Sequence, residues 1–81
     1  RKTVALGPSA YGWLLRHPFM SEDVIIGIIQ DFPINVREYI DGDNFKISFR
    51  RKKNKKFVNV IIWVRETPLE YFVYKMHSTR V

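Results

Sequence analysis

Cysteine is absent from this 81-residue chain, and its absence excludes a disulfide framework and a zinc site built on thiolates. Long apolar runs are missing as well. None approaches the roughly 18 residues that a membrane-spanning helix needs, and no signal-peptide pattern opens the chain. These absences favour a cytoplasmic protein that does not enter a membrane.

The chain also lacks the short motifs of several enzyme classes. It has no glycine-rich loop that could cradle phosphates and no nucleophile elbow of the serine-hydrolase kind. Its two histidines are not joined by a compact cluster of acidic residues, and residues 41–44 lack the spacing of a calcium loop. Nucleotide hydrolysis, serine-hydrolase chemistry, a metal site and a cofactor are therefore not expected.

What the chain does contain is enough apolar material for a small core. Hydrophobic residues make up 46% of the sequence and aromatic residues 15%, which is typical of a globular protein and not of a disordered tail. A chain of this length forms one domain with a modest core. We therefore expect a single domain over residues 1–81, with residues 1–7 as a flexible lead.

Positive charge is concentrated in one stretch. The net charge is +6, and residues 50–56 account for all of the excess. The basic residues in this stretch are Arg50, Arg51, Lys52, Lys53, Lys55 and Lys56. Such a patch is expected of a protein that binds a phosphate backbone. The alternative is a solubilising turn whose lysines guard a strand edge.

Two helices are predicted in the first part of the chain. Residues 8–17 begin with a proline suited to a first turn, and a second helix follows Ser21, a good N-cap. The second helix carries a broad apolar stripe and is expected to end at Pro33. The apolar face predicted for the first helix is formed by Tyr11, Leu14 and Leu15.

After residue 33 the pattern changes to the two-residue alternation of strands. The predicted strands cover residues 34–40, 45–50, 57–65 and 70–76, with turns at 41–44 and at the basic stretch 50–56. The strand Phe57 to Arg65 is the most apolar and is expected at the centre of the sheet. The predicted fold is α+β, with two N-terminal helices packed on one face of a four-stranded antiparallel meander.

A few residues could carry acid–base chemistry on RNA. His17 lies at the end of the first helix and His77 just past the last strand, with Arg16, Ser78 and Arg80 nearby. Cleavage of RNA through its 2′-hydroxyl needs a base, an acid and a cation that stabilises the phosphorane. These five residues are the candidate catalytic set. The alternative for a histidine at a helix end is a structural cap.

Aromatic residues add a second kind of candidate. Trp63, Tyr74 and Tyr39 could stack on unpaired bases, although core packing is the more common role for each of them. The candidate nucleic-acid-binding residues are Arg50, Arg51, Lys52, Lys53, Lys55, Lys56, Lys75 and Trp63.

The segments "LLRHP", "SEDVIIGIIQDFP", "REYIDGDNFKISF", "FVNVIIWV" and "YFVYKMHST", in this order over about residues 10–80, resemble a known superfamily. It comprises the small RelE-like and phage-associated nuclease domains related to barnase, EndoU and the colicins. The resemblance implies a compact helix-plus-sheet fold, an RNA substrate and cleavage without a metal. The matching positions would be Arg16 and His17 at the helix end, Arg50 and Arg51 on a strand, and His77 and Ser78 after the last strand.

The leading hypothesis is therefore a toxin-type endoribonuclease independent of metal, with RNA as its ligand and an acidic antitoxin protein as its partner. One alternative is a nucleic-acid-binding module without catalysis. Another is a protein-interaction domain that pairs through its sheet edge, for instance as a homodimer through residues 34–40.

Overall fold

A computed structural model describes residues 2–32 and 34–81, and in this part of the chain two helices and five strands make up the fold. In chain order the elements are β1 (Thr3–Leu6), α1 (Pro8–Arg16), α2 (Glu22–Asp31), a 3₁₀ turn (Ile34–Val36), β2 (Glu38–Asp41), β3 (Asn44–Lys53), β4 (Lys56–Glu66) and β5 (Glu70–Arg80). Neither helix has the length and apolar character needed to cross a membrane.

Strand β4 lies at the centre of a single mixed sheet, whose strand order is β1-β5-β4-β3-β2. Its alternate residues project to opposite faces. Val60, Ile62 and Val64 are fully buried on the side of the helices, and each such side chain stabilises the fold by about 1.5–3 kcal/mol. The helices bury Ala10, Trp13, Met20, Ile25, Ile28 and Ile29 in the same core.

The predicted four-stranded antiparallel meander is wrong, because the sheet has a fifth strand. Residues 3–6, expected to belong to a flexible lead, form β1, which pairs parallel to β5 with Thr3 opposite Glu70. Val4 and Leu6 pack against the core from this strand. The meander from β2 to β5 is present, but β1 makes the sheet mixed.

Helix α2 forms largely where its sequence predicts it. The hydroxyl of Ser21 accepts a hydrogen bond from the backbone N–H of Val24 at 3.4 Å, and acidic residues occupy the first turn. The helix ends at Asp31, while Pro33, expected to end it, lies outside the described residues.

The face that helix α1 turns to the sheet matches the predicted one only at Leu14, which packs against the core. Its buried residues are Ala10 and Trp13, whereas Leu15 is 78% exposed. A small residue at position 10 lets the helix lie close to β5, which is the strand it contacts most. The large side chain of Trp13, one turn further on, then fills the space beneath.

Several strand boundaries also differ from the predicted ones. Residues 34–36 form a 3₁₀ turn, and β2 is a short edge strand whose four residues are all exposed. The turn after β2 contains Gly42 with a positive φ of 41°, as its Asp-Gly sequence favours. Strand β5 extends to Arg80, so His77 and Ser78 lie within it and not beyond it.

Candidate nucleic-acid interface

The sheet has one face that neither described helix covers, and we call it the open face. It is formed by the residues that alternate with the buried positions of β3, β4 and β5. Its basic members are Lys46, Arg50, Lys52, Arg65 and Lys75, and the other side chains on it include Ser48, Phe57, Asn59, Ile61, Trp63, Tyr74, His77 and Thr79. The acidic Glu38 approaches this face, with its Oε2 3.8 Å from Nζ of Lys46.

The basic stretch 50–56 is mostly strand, and the prediction that it forms a turn is wrong. Only Asn54 and Lys55 make the turn between β3 and β4, and Asn54 takes a left-handed φ of 57° there, which asparagine tolerates well. The cations of the stretch are therefore divided between the two faces of the sheet.

Arg50 and Lys52 project from the open face, since they alternate with the helix-side positions of β3. On the helix side, Arg51 is partly buried, and Nζ of Lys53 lies 5.3 Å from the ring centre of Phe19. Lys56 pairs with Lys53 across the hairpin and lies on the same side. The predicted single patch is thus two smaller groups of cations.

A bulge in β5 shapes the centre of the open face. Trp63 is opposite Lys75, whereas the next residue, Val64, is opposite Val73. Two residues of β5, Tyr74 and Lys75, therefore face one residue of β4, and both project from the open face. Nζ of Lys75 lies 4.7 Å from the centre of the Trp63 ring.

The aromatic candidates do not all lie on the open face. Tyr74 remains on the open face, where the guanidinium of Arg65 lies 5.9 Å from its ring centre. Tyr39 does not, because it pairs with the buried Phe45 and its hydroxyl takes part in hydrogen bonds at the end of the sheet. Of the aromatic candidates predicted to stack on bases, Trp63 and Tyr74 share the open face.

The two histidines lie on opposite sides of the sheet. His17 stacks on the buried Trp13, with ring centroids 4.1 Å apart, and its Nδ1 is 2.7 Å from the carbonyl oxygen of Trp13. His77 is exposed and projects from the open face opposite Ile61. The structure therefore does not bring the two imidazoles together, and His17 has the packing of a structural residue.

The remaining candidate residues are also divided. Arg16 is exposed at the end of α1. Ser78 and Arg80 alternate with His77 and lie on the helix side of β5, opposite Val60 and Val58. There they line a concave surface beside the hairpin tip together with residues 53–58. Ser78 and Arg80 are thus near the helix-side lysines, and His77 is near the open-face cations.

A hydrogen-bonded network at the other end of the sheet was not predicted. The side chain of Arg37 is only 8% exposed, and it donates to the Tyr71 hydroxyl at 2.8 Å and to Glu66 at 3.4 Å. Glu66 also accepts from Nζ of Lys2 at 2.6 Å and from the Tyr39 hydroxyl at 3.2 Å. The network joins the chain ahead of β1 to β2, β4 and β5.

Interactions within this network shift the pKa values of Glu66 and Arg37. The hydrogen bond from Lys2 lowers the pKa of Glu66, more than burial raises it. Burial works to lower the pKa of Arg37, but the hydrogen bonds to Tyr39 and Tyr71 outweigh it, so that pKa is raised. No sequence pattern indicates this network, because its members come from separate segments and each looks like an ordinary surface residue.

Among residues 2–32 and 34–81, no group of histidine, aspartate and glutamate side chains is arranged to hold a metal ion. No protein-family model, curated protein or solved structure gives a significant match to the chain. The resemblance to RelE-like nucleases therefore stays a prediction.

Proposed function

We propose that this protein binds RNA through the open face. The observation that carries the proposal is that five basic side chains share a sheet face without a helix. Those of Lys46, Arg65 and Lys75 lie beside Trp63, and those of Arg50 and Lys52 lie nearer the hairpin tip, opposite Asn59 and Phe57. Cations attract the phosphate backbone, and a partly exposed aromatic ring offers a surface for a base. Because RNA is abundant in the cytoplasm, the proposal includes a cytoplasmic location.

Protection of a strand edge explains only part of this charge. Strand β2 pairs with β3 only as far as Lys46, so Arg50 and Lys52 do lie where β3 has a free edge. Strand β1 likewise pairs with β5 only as far as Val73, so Lys75 lies beside a free edge as well. Arg65, however, belongs to the central strand β4 and has a partner on each side, Asn44 of β3 and Phe72 of β5. Its charge has no edge to guard, whereas binding of a polyanion accounts for all five cations.

The division of the basic stretch between two faces allows a charge-matched experiment. One double variant, Arg50→Gln with Lys52→Gln, removes two cations from the open face. Its control, Lys53→Gln with Lys56→Gln, removes two exposed cations from the helix side of the same hairpin. The two variants have the same net charge, and both change residues next to the same turn.

Binding of a fluorescently labelled single-stranded RNA is measured by anisotropy over a series of salt concentrations. We expect the open-face variant to bind more weakly and to lose about 1.4 units of the log–log salt slope, since each phosphate contact on a single strand contributes about 0.7. The helix-side control should keep the slope of the unmodified protein. Equal losses in both variants would mean that net charge alone attracts RNA, and the assignment to the open face would be wrong.

Cleavage of RNA is a second candidate function, and the exposed position of His77 among the open-face cations favours it. A catalytic imidazole there could act as a general base or acid, without help from His17 on the other side of the sheet. A toxin of this kind would need an acidic antitoxin protein to cover the open face.

Incubation of labelled RNA with the purified protein in EDTA tests this second function. We expect cleavage that is lost in His77→Gln and retained in His17→Gln, which makes the same change on the other side of the sheet. Intact RNA after incubation with the unmodified protein would rule out metal-independent cleavage and leave binding as the function.

A further inference from the structure

Trp63 occupies the middle of the open face. It belongs to the central strand, and its neighbours in the same cross-strand row are Lys46 on β3 and Lys75 on β5. The indole is partly exposed, and the ammonium group of Lys75 lies over the ring at 4.7 Å from its centre. The side chain that lies over this ring surface is thus a long and flexible one.

The β5 bulge is the reason that Lys75 lies there. Val73 is buried on the helix side, so strict alternation would turn Lys75 toward the helices as well. With the extra residue, Tyr74 and Lys75 both project from the open face, and Met76 returns to the core opposite Ile62. Bulges that redirect side chains in this way are common next to functional sites.

We propose that an unpaired base of single-stranded RNA stacks on Trp63 and displaces the ammonium group of Lys75, which then binds an adjacent phosphate. The inference rests on the proposed RNA-binding function and narrows its ligand to unpaired RNA. Stacking of a base on an aromatic side chain stabilises a complex more than a cation–π contact at an exposed site does, so the exchange is favourable.

A duplex could not make this contact. Its bases are stacked on one another, and a protein meets mainly the backbone and the groove edges. The open-face cations would bind the phosphates of either form. A requirement for Trp63 would therefore distinguish unpaired bases from phosphates as the ligand.

Two oligomers of equal length and charge separate these contacts. One is oligouridylate, and the other is an abasic ribose-phosphate oligomer, which offers the backbone without bases. We expect the unmodified protein to bind oligouridylate about tenfold more tightly or better. Trp63→Leu should bind both oligomers equally. Lys75→Gln should bind the abasic oligomer more weakly than the unmodified protein does, yet keep the preference for oligouridylate.

Tryptophan fluorescence of the unmodified protein provides a measurement that does not depend on the folding of a variant. Trp13 is buried in the core, so a stacked base should quench mainly Trp63. Oligouridylate is expected to quench the emission, and the abasic oligomer is not.

Equal quenching by both oligomers, or an undiminished preference for oligouridylate in folded Trp63→Leu, would overturn base stacking. The RNA-binding proposal would survive this result if Arg50→Gln with Lys52→Gln weakened the binding of both oligomers. Absence of binding to either oligomer by the unmodified protein would instead refute RNA binding itself, and the stacking proposal with it.

Discussion

Replacement of Glu66 by glutamine tests the network at the end of the sheet. The variant keeps the shape of the side chain but removes the charge that faces Lys2 and Arg37. Hydrogen bonds to charged groups contribute about 1.5–3 kcal/mol each, roughly twice the value of neutral ones. The side chain of Glu66 is 25% exposed, and solvent screens part of this effect. We therefore expect a loss of about 1–2 kcal/mol in the free energy of unfolding.

The pH dependence of this loss has a definite sign. The pKa of Glu66 is lowered in the folded protein, chiefly by the hydrogen bond from Lys2. The stabilisation is therefore complete above the ordinary pKa of a glutamate and is lost as the pH falls through the lowered folded-state pKa. The difference in free energy of unfolding between the unmodified protein and Glu66→Gln should be largest near neutral pH and should approach zero in acid.

Urea unfolding and thermal unfolding, both followed by circular dichroism over a series of pH values, measure these effects. At neutral pH the melting temperature should fall by about 4–16 °C, given the size of the domain. The control is Glu38→Gln, the same chemical change at an exposed residue with a long 3.8 Å ion pair to Lys46, for which we expect less than about 0.5 kcal/mol. Equal stabilities of the two variants, or a Glu66→Gln loss that persists unchanged in acid, would refute the role given to the carboxylate.

Three further predictions concern local packing and can be checked by the same unfolding assay. Gly7→Ala should destabilise the protein by about 1–3 kcal/mol, because the added Cβ would lie 2.7 Å from the ring of Phe72. Stability equal to that of the unmodified protein would show that the ring moves freely. Gly27→Ala should stabilise it by about 0.5–1 kcal/mol, since a Cβ within α2 meets nothing closer than 3.9 Å; a loss instead would reveal a clash. Ser21→Ala should lower the free energy of unfolding by about 0.5–1 kcal/mol. This expected loss is small because the hydrogen bond that the Ser21 hydroxyl accepts from Val24 is long at 3.4 Å. No change would mean that solvent caps the helix equally well.

The sequence predicted those parts of the fold that depend on local patterns. Three such features depend on only a few adjacent residues, and all three are present: the N-cap at Ser21, the turn at Gly42 and the apolar strand through Val60. Strand β1 has only four residues, too few for a clear alternation. Its partner is the last strand of the chain, so no short turn between them indicates the pairing.

The candidate site was predicted in composition but not in geometry. The basic character of residues 50–56 is evident, whereas their division between two faces depends on a turn of only two residues at Asn54. The orientation of Lys75 depends on a bulge, and one extra residue reverses the face of every position that follows. The separation of His17 from His77 follows from the packing of α1 on the far side of the sheet, which alternation along a strand cannot reveal.

The parallel pairing of β1 with β5 has a consequence for the order of assembly. Residues 3–6 form ladder contacts with residues 70–73, so during synthesis on a ribosome β1 has no partner until residues 70–73 have been made. Adjacent hairpins need only short loops to close, and they form quickly. We therefore expect the hairpins of β3, β4 and β5 to form early, and the pairing of β1 with β5 to be the last and slowest of these events.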